Sequence, residues 1–182
     1  MKIGIDISQT AYEKTGVANY LEKLVESLIS KDDKNEYVLF FSSLRRKVDR
    51  TFIKKLEYLD SEKISFRAYP FPPILLDFIW NRLHWWPIEW FVGDVDVFIT
   101  SDWTEPPAKK AKKATILYDL IVYKNPDETD KKIVSTQKRK HLWVVKESKA
   151  VFCISQATKK DAEELLGIDA SRLHVIYPGV SI

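Results

Sequence analysis

Apolar positions along this chain fall into two rhythms. Lys2–Asp6 is a short strand candidate ending in a carboxylate, and the runs at Tyr37–Phe41, Val95–Ile99, Ala114–Tyr118, Ala150–Ile154 and His174–Tyr177 are nearly continuous in apolar residues. Continuous runs of this length read as strands covered on both faces. Ile64, Phe66 and Ala68 instead alternate with Ser65, Arg67 and Tyr69, as in a strand nearer a sheet edge. Between the runs the spacing changes. From Gly16 to Lys31 the apolar residues Val17, Tyr20, Leu21, Leu24, Val25 and Leu28 recur every three or four positions, which predicts a helix with one buried face. Thr15 precedes it as a candidate N-cap. Further helices are expected at Asp49–Leu59, Asp130–Ser148 and Gln156–Leu166, the last following Ser155 and stopping at Gly167.

Strands alternating with helices, most of them buried on both faces, predict an α/β fold. The expectation is a doubly wound, Rossmann-like parallel sheet of about seven strands with helices on both faces. Ligands of such sheets bind at the carboxyl ends of the strands. The loops after Asp6, Ile99, Tyr118 and Ile154 are therefore the places to look, and Tyr69–Pro73 and Ser101–Pro107 read as flexible connectors.

Composition narrows the class. The 182 residues carry 29 Lys plus Arg against 26 Asp plus Glu, a net charge of +3 too mild for a nucleic-acid binder. The single cysteine, Cys153, forms no internal disulfide and sits in an apolar run, as a buried, inert thiol would. With an N-terminus, MKIGID, that lacks a signal-peptide pattern, it implies a cytoplasmic protein. The three histidines have no ligand spacing with one another or with Cys153, so no metal site is expected.

Each candidate site residue has two readings. The loop Ser8–Gly16 ends in Thr15-Gly16 at a helix start, where free N–H groups suit an anion, or where Gly16 simply begins the helix. It lacks the G-x-G-x-x-G pattern, which argues against a nicotinamide or flavin cofactor. Asp119, in Leu117-Tyr118-Asp119-Leu120, either orients a hydroxyl and takes its proton or caps a turn. Ser155 caps its helix or shares that helix start with a phosphate or carboxylate. Ile74–Phe91 holds four of the six tryptophans, Trp80, Trp85, Trp86 and Trp90, interrupted by charges and by Pro87. It reads as core packing with one or two indoles left exposed. Lys109–Lys113 and the lysines on Asp130–Ser148 read as solvated faces, or as attraction to anionic lipid.

Taken in order, IGID at Ile3–Asp6, TGVANYLEKLVESL at Thr15–Leu28, TSDWTEPP at Thr100–Pro107, TILYDLIV at Thr115–Val122, VFCISQATKKDAEELLGI at Val151–Ile168 and LHVIYPGV at Leu173–Val180 resemble the N-terminal domain of family 4 glycosyltransferases. That resemblance implies the N-terminal half of a GT-B fold. It implies an acceptor-side domain over residues 1–177, an inter-domain linker starting in 178–182, and a donor-binding C-terminal domain absent from this chain. The implied activity is retaining transfer of a hexose from a nucleotide-sugar to a glycan or lipid-linked acceptor, without metal or cofactor, in polysaccharide biosynthesis. The chain alone would then be inactive. It further implies that Gly16 lies near the transferred sugar and acceptor, that Asp102 and Trp103 face the acceptor, and that the Ser-x-x-Thr helix start falls on Ser155 and Thr158. Thr15, beside Gly16, and Ser155 are counted with them as acceptor- or phosphate-binding candidates. The family's His-Asp pair falls on Tyr118 and Asp119. A phenol with a pKa of about 10 hydrogen-bonds a sugar but is a poor base. Two other expectations stand beside this one: a non-catalytic or split-enzyme binding subunit that docks on a separate donor-binding chain, and a peripheral binder of the inner membrane face or of a polyanion.

Overall fold

The structure is a computed structural model that describes residues 1–12, 14–60 and 62–179. The last part of the expected linker, 180–182, lies outside the described residues. The chain runs β1 (Lys2–Asp6), α1 (Gly16–Lys31), β2 (Glu36–Ser42), α2 (Arg50–Asp60), β3 (Ile64–Tyr69), α3 (Pro73–Leu76), α4 (Glu89–Val92), β4 (Val97–Thr100), β5 (Lys112–Leu117), α5 (Ile121–Lys124), α6 (Lys131–Glu147), β6 (Ser148–Cys153), α7 (Gln156–Leu166) and β7 (Leu173–Val175). All seven strands pair in parallel in the order β3-β2-β1-β4-β5-β6-β7. The fold is therefore the expected doubly wound Rossmann-like α/β sheet, with β3 at one edge.

Strand β2 shows why its run is continuous. Tyr37, Leu39 and Phe41 pack with Leu21 and Val25 of α1 and with Phe52 and Leu56 of α2. Val38 and Phe40 point the other way, into Trp80, Ile88, Phe91 and Val92. Alternate residues thus feed two separate cores. Gly4 in β1 is a close-approach position: a Cβ there would lie 2.6 Å from the Phe98 ring. Local signals set the helix ends. The Thr15 Oγ1 accepts from Ala18 N at 3.2 Å, Asp130 caps α6 through Lys132 N at 2.7 Å, and Gly167 ends α7 in the left-handed region at φ 66°.

The tryptophan-rich segment departs from a regular helix. After α3 it winds as a π-helix over Asp77–Arg82. The Trp80 indole, 1% exposed, donates to the Trp86 carbonyl at 2.9 Å, while Trp85 and Trp90 face solvent. Packing on α6 holds the segment in place. The Trp143 indole donates to the Asn81 carbonyl at 2.8 Å, and the His84 ring stacks on Trp143 with centroids 3.5 Å apart.

Two expectations about charge and mobility need correcting. Lys113 and Lys140 are buried, not part of a solvated basic face. Lys113 Nζ lies 3.1 Å from Glu105 and 2.7 Å from Glu147. The segment Ser101–Pro107 has no regular structure yet is no loose connector. Ser101, Thr104 and Glu105 are buried, Asn81 accepts from Glu105 N at 3.0 Å, and Asn81 donates to the Trp103 carbonyl at 2.9 Å. No described helix is long and apolar enough to cross a membrane.

Candidate active site

Strand β1 is flanked by β2 on one side and β4 on the other, so the loops leaving β1 and β4 diverge and open a crevice. Three strand ends meet there. β1 delivers Asp6, β4 leads into Ser101-Asp102-Trp103, and β5 leads into Tyr118-Asp119. Helix α6 closes the floor with Gln137, Lys140 and His141, which its three- and four-residue spacing places on one face.

These residues are tied together by hydrogen bonds. Gln137 Nε2 donates to the Asp102 carboxylate at 3.0 Å and to its carbonyl at 3.2 Å. Lys140 Nζ donates to the Ser101 carbonyl. Ser101 Oγ and Tyr118 Oη are 3.1 Å apart, and Thr158 Oγ1 donates to the Tyr118 carbonyl at 3.1 Å. The Tyr20 ring meets the Tyr118 ring edge-on at 5.6 Å. A pocket of 240 Å³ opens among Asp102, Trp103, Tyr118, Asp119, Gln137 and His141.

Burial sets the protonation states. It pushes the carboxyls of Asp6 and Asp102 up, against the pull of Lys140. It pushes the Lys140 ammonium down, opposed by Glu105, Asp102 and Asp6. The Tyr118 phenol rises above its ordinary value through burial, so it stays protonated. His141 falls to about 3 through burial and, secondarily, the neighbouring Lys140 charge, so its ring is neutral, and its Nδ1 has no hydrogen-bond partner among the described residues. A neutral imidazole, an amide, a phenol and two carboxylates around one pocket can donate to and accept from several hydroxyl groups.

The sequence-derived candidates divide. Asp102, Trp103, Tyr118 and Asp119 line this pocket together. Gly16 lines a second, open cleft of 560 Å³ that shares Tyr118 and Asp119 and reaches Pro178 and Gly179, where the chain leaves the sheet. A Cβ on Gly16 would meet nothing within 4 Å, so the fold itself does not require glycine there. Asp119 is exposed, and its Oδ1 accepts from Ile121 N at 3.0 Å. It therefore does cap a turn. Thr15 and Ser155 serve as N-caps: Thr15 Oγ1 also donates to the Tyr12 carbonyl at 2.9 Å, and Ser155 Oγ accepts from Thr158 N at 3.0 Å. Neither lines the two clefts.

Gln137, Lys140 and His141 were missed. Their signal was in the spacing: Gln137, Lys140, His141 and Val144 share one face of α6, and three of the four are polar. Among the described residues no three His, Cys, Asp or Glu side chains converge as a metal-binding group.

No curated protein matches the chain. Among solved structures it is similar to a short-chain dehydrogenase from Oenococcus oeni PSU-1, at 12% identity and a TM-score of 0.37, over 99% of this chain and 80% of that one. The sequence from residue 14 to residue 182 matches the model of Glycosyltransferase Family 4, and with that share of its length in register the chain belongs to this family.

Proposed function

We propose that this is the acceptor-side domain of a retaining hexosyltransferase. On this reading it takes a hydroxyl-bearing glycan or lipid-linked acceptor in the pocket between β4, β5 and α6. A nucleotide-sugar donor is held without metal by a second domain across the 560 Å³ cleft. The observation that carries the proposal is the convergence of Asp102, Tyr118, Asp119, Gln137 and the neutral His141 on one 240 Å³ space at the carboxyl ends of β4 and β5.

Each group then has a task. An acceptor hydroxyl must give up its proton as it bonds to the anomeric carbon, while the bond from that carbon to the donor's phosphate oxygen breaks and nucleoside diphosphate leaves. Asp119 is the exposed carboxylate of the set; Ile121 N holds one oxygen and leaves the other for that hydroxyl. A positioned base contributes roughly 10²–10⁴-fold to such a step. Tyr118, kept protonated by burial, orients the sugar and takes no proton. Asp102, Gln137 and His141 fix neighbouring hydroxyls.

Lys140 balances the buried carboxylates. Gly16, at the start of α1, leaves the other side of Asp119 open to the donor.

The test is release of nucleoside diphosphate from a panel of nucleotide-sugars with glycan acceptors, measured for the chain alone and joined to its donor-binding half. The reading expects acceptor-dependent release by the joined protein and none by this domain alone. Release that ignores the acceptor, or none from any donor, contradicts it.

A further inference from the structure

Beside the hydroxyl pocket, and sharing Trp103 and Ile133 with it, lies a groove of 510 Å³ between α3, the π-helix and the start of α6. Its volume is within the roughly 300–1,000 Å³ of small-molecule sites. The lining is largely apolar and open to water: Ile74 is 78% exposed and Phe78 49%, with Ile133 opposite. Contiguous apolar surface of this kind marks a place where something binds.

Its rim is cationic. Arg139 is neutralised by Asp77 at 2.6 Å, but Arg82 and Lys132, both exposed, have no carboxylate partner among the described residues. An apolar floor with two unpaired cations fits a hydrocarbon chain that ends in an anionic group. Because the groove is concave, it fits one such molecule better than the flat face of a bilayer. Continuity with the pocket through Trp103 orders the parts: hydroxyls at Asp102 and Asp119, the anion near Arg82 and Lys132, the chain along Ile74 and Phe78.

We propose that this groove seats the hydrocarbon chain and phosphate of a lipid-linked acceptor, so that the acceptor of the reaction above is a phosphate-bearing amphiphile. The inference rests on the acceptor-side reading of the neighbouring pocket. It predicts that the apolar and cationic parts act together on one ligand.

Isothermal titration calorimetry of the chain with dodecyl phosphate, below its micelle concentration, tests this against dodecyl maltoside and inorganic phosphate. The expected result is saturable one-to-one binding of dodecyl phosphate, at least tenfold tighter than either control. Ile74→Asp should weaken it at least tenfold. The double change Arg82→Glu and Lys132→Glu should bring it to the level of the maltoside. All three positions are exposed, and unchanged thermal melting certifies the fold of each variant.

Undiminished binding by Ile74→Asp overturns the proposal. So does binding only to anionic vesicles and not to the single amphiphile, which assigns the face to a bilayer. Self-association of the chain that Ile74→Asp abolishes also overturns it, since a second copy then covers the groove. The two readings fail separately. A joined enzyme that glycosylates water-soluble glycans but whose domain binds no alkyl phosphate loses only this proposal. Binding of dodecyl phosphate without any nucleotide release by the joined enzyme contradicts the transferase reading, and with it the acceptor role, while the groove remains a site for a phosphate-bearing amphiphile.

Discussion

Acidification should destabilise this domain through His141 in a way that can be isolated. The ring is 2% exposed, stacks on Tyr123 with centroids 5.7 Å apart, and sits beside Lys140 in the same pocket as Asp102 and Asp119. Its pKa is lowered from 6.5 to about 3, first by burial and then by the Lys140 charge. A depressed pKa means that the unfolded chain binds the proton first. The stabilisation is complete above pH 6.5 and is lost as pH falls toward 3. At 1.36 kcal/mol per unit, the loss is about 2 kcal/mol by pH 5 and about 4 kcal/mol by pH 3, where the folded ring is itself half protonated. The first figure alone is a large share of a domain's usual stability of roughly 5–15 kcal/mol.

Asp6 and Asp102 act in the opposite sense, because burial raises their carboxyls and protonation relieves them. The measurement is therefore a difference. Urea unfolding of the native protein and of His141→Phe, which keeps a ring against Tyr123 but cannot titrate, is followed by tryptophan fluorescence from pH 7.5 to 4.5. Any packing penalty of the larger ring is a constant offset. The native protein should lose stability relative to the variant with a slope near 1.36 kcal/mol per pH unit below pH 6. Parallel pH profiles would refute the burial of a neutral imidazole in this pocket.

Other perturbations follow from the packing. Lys113→Met removes the ion-pair partner of the fully buried Glu105 carboxylate, which keeps hydrogen bonds from Thr100 and Ser148 and the more distant Lys140 charge, and should destabilise by about 3–5 kcal/mol in urea titrations. Gly4→Ala drives a Cβ into the buried Phe98 ring and should lower stability by about 1–3 kcal/mol, read as a drop in the urea midpoint. Gly167→Ala, at φ 66°, should lose about 1 kcal/mol in the same assay.

What was readable in the sequence is what local chemistry determines. Thr15, Ser155 and Gly167 bound their helices because capping involves only residues a few positions apart. The run Tyr37–Phe41 announced a strand buried on both sides because both cores leave their mark on one segment. The misread features depend on partners far along the chain. Nothing near Lys113 or Lys140 shows that Glu105, Glu147 or the Ser101 carbonyl will meet them, so both looked like members of a basic surface.

The order in Ser101–Pro107 comes from Asn81 and Gln137, and the π-helix at Asp77–Arg82 is braced by Trp143. The site was half legible for the same reason. Asp102, Trp103, Tyr118 and Asp119 stand at strand ends, where α/β sheets place their ligands, whereas Gln137 and His141 reach the pocket from a helix face that read as solvated.

The central claim is that Asp119 handles the acceptor hydroxyl. Its most direct test is the transfer rate of the joined enzyme carrying Asp119→Asn, which keeps an oxygen for the Ile121 N–H but removes the base. The account predicts a fall in kcat of about 10²–10⁴-fold with donor KM unchanged and the fold intact. A variant that transfers sugar at the native rate would contradict it.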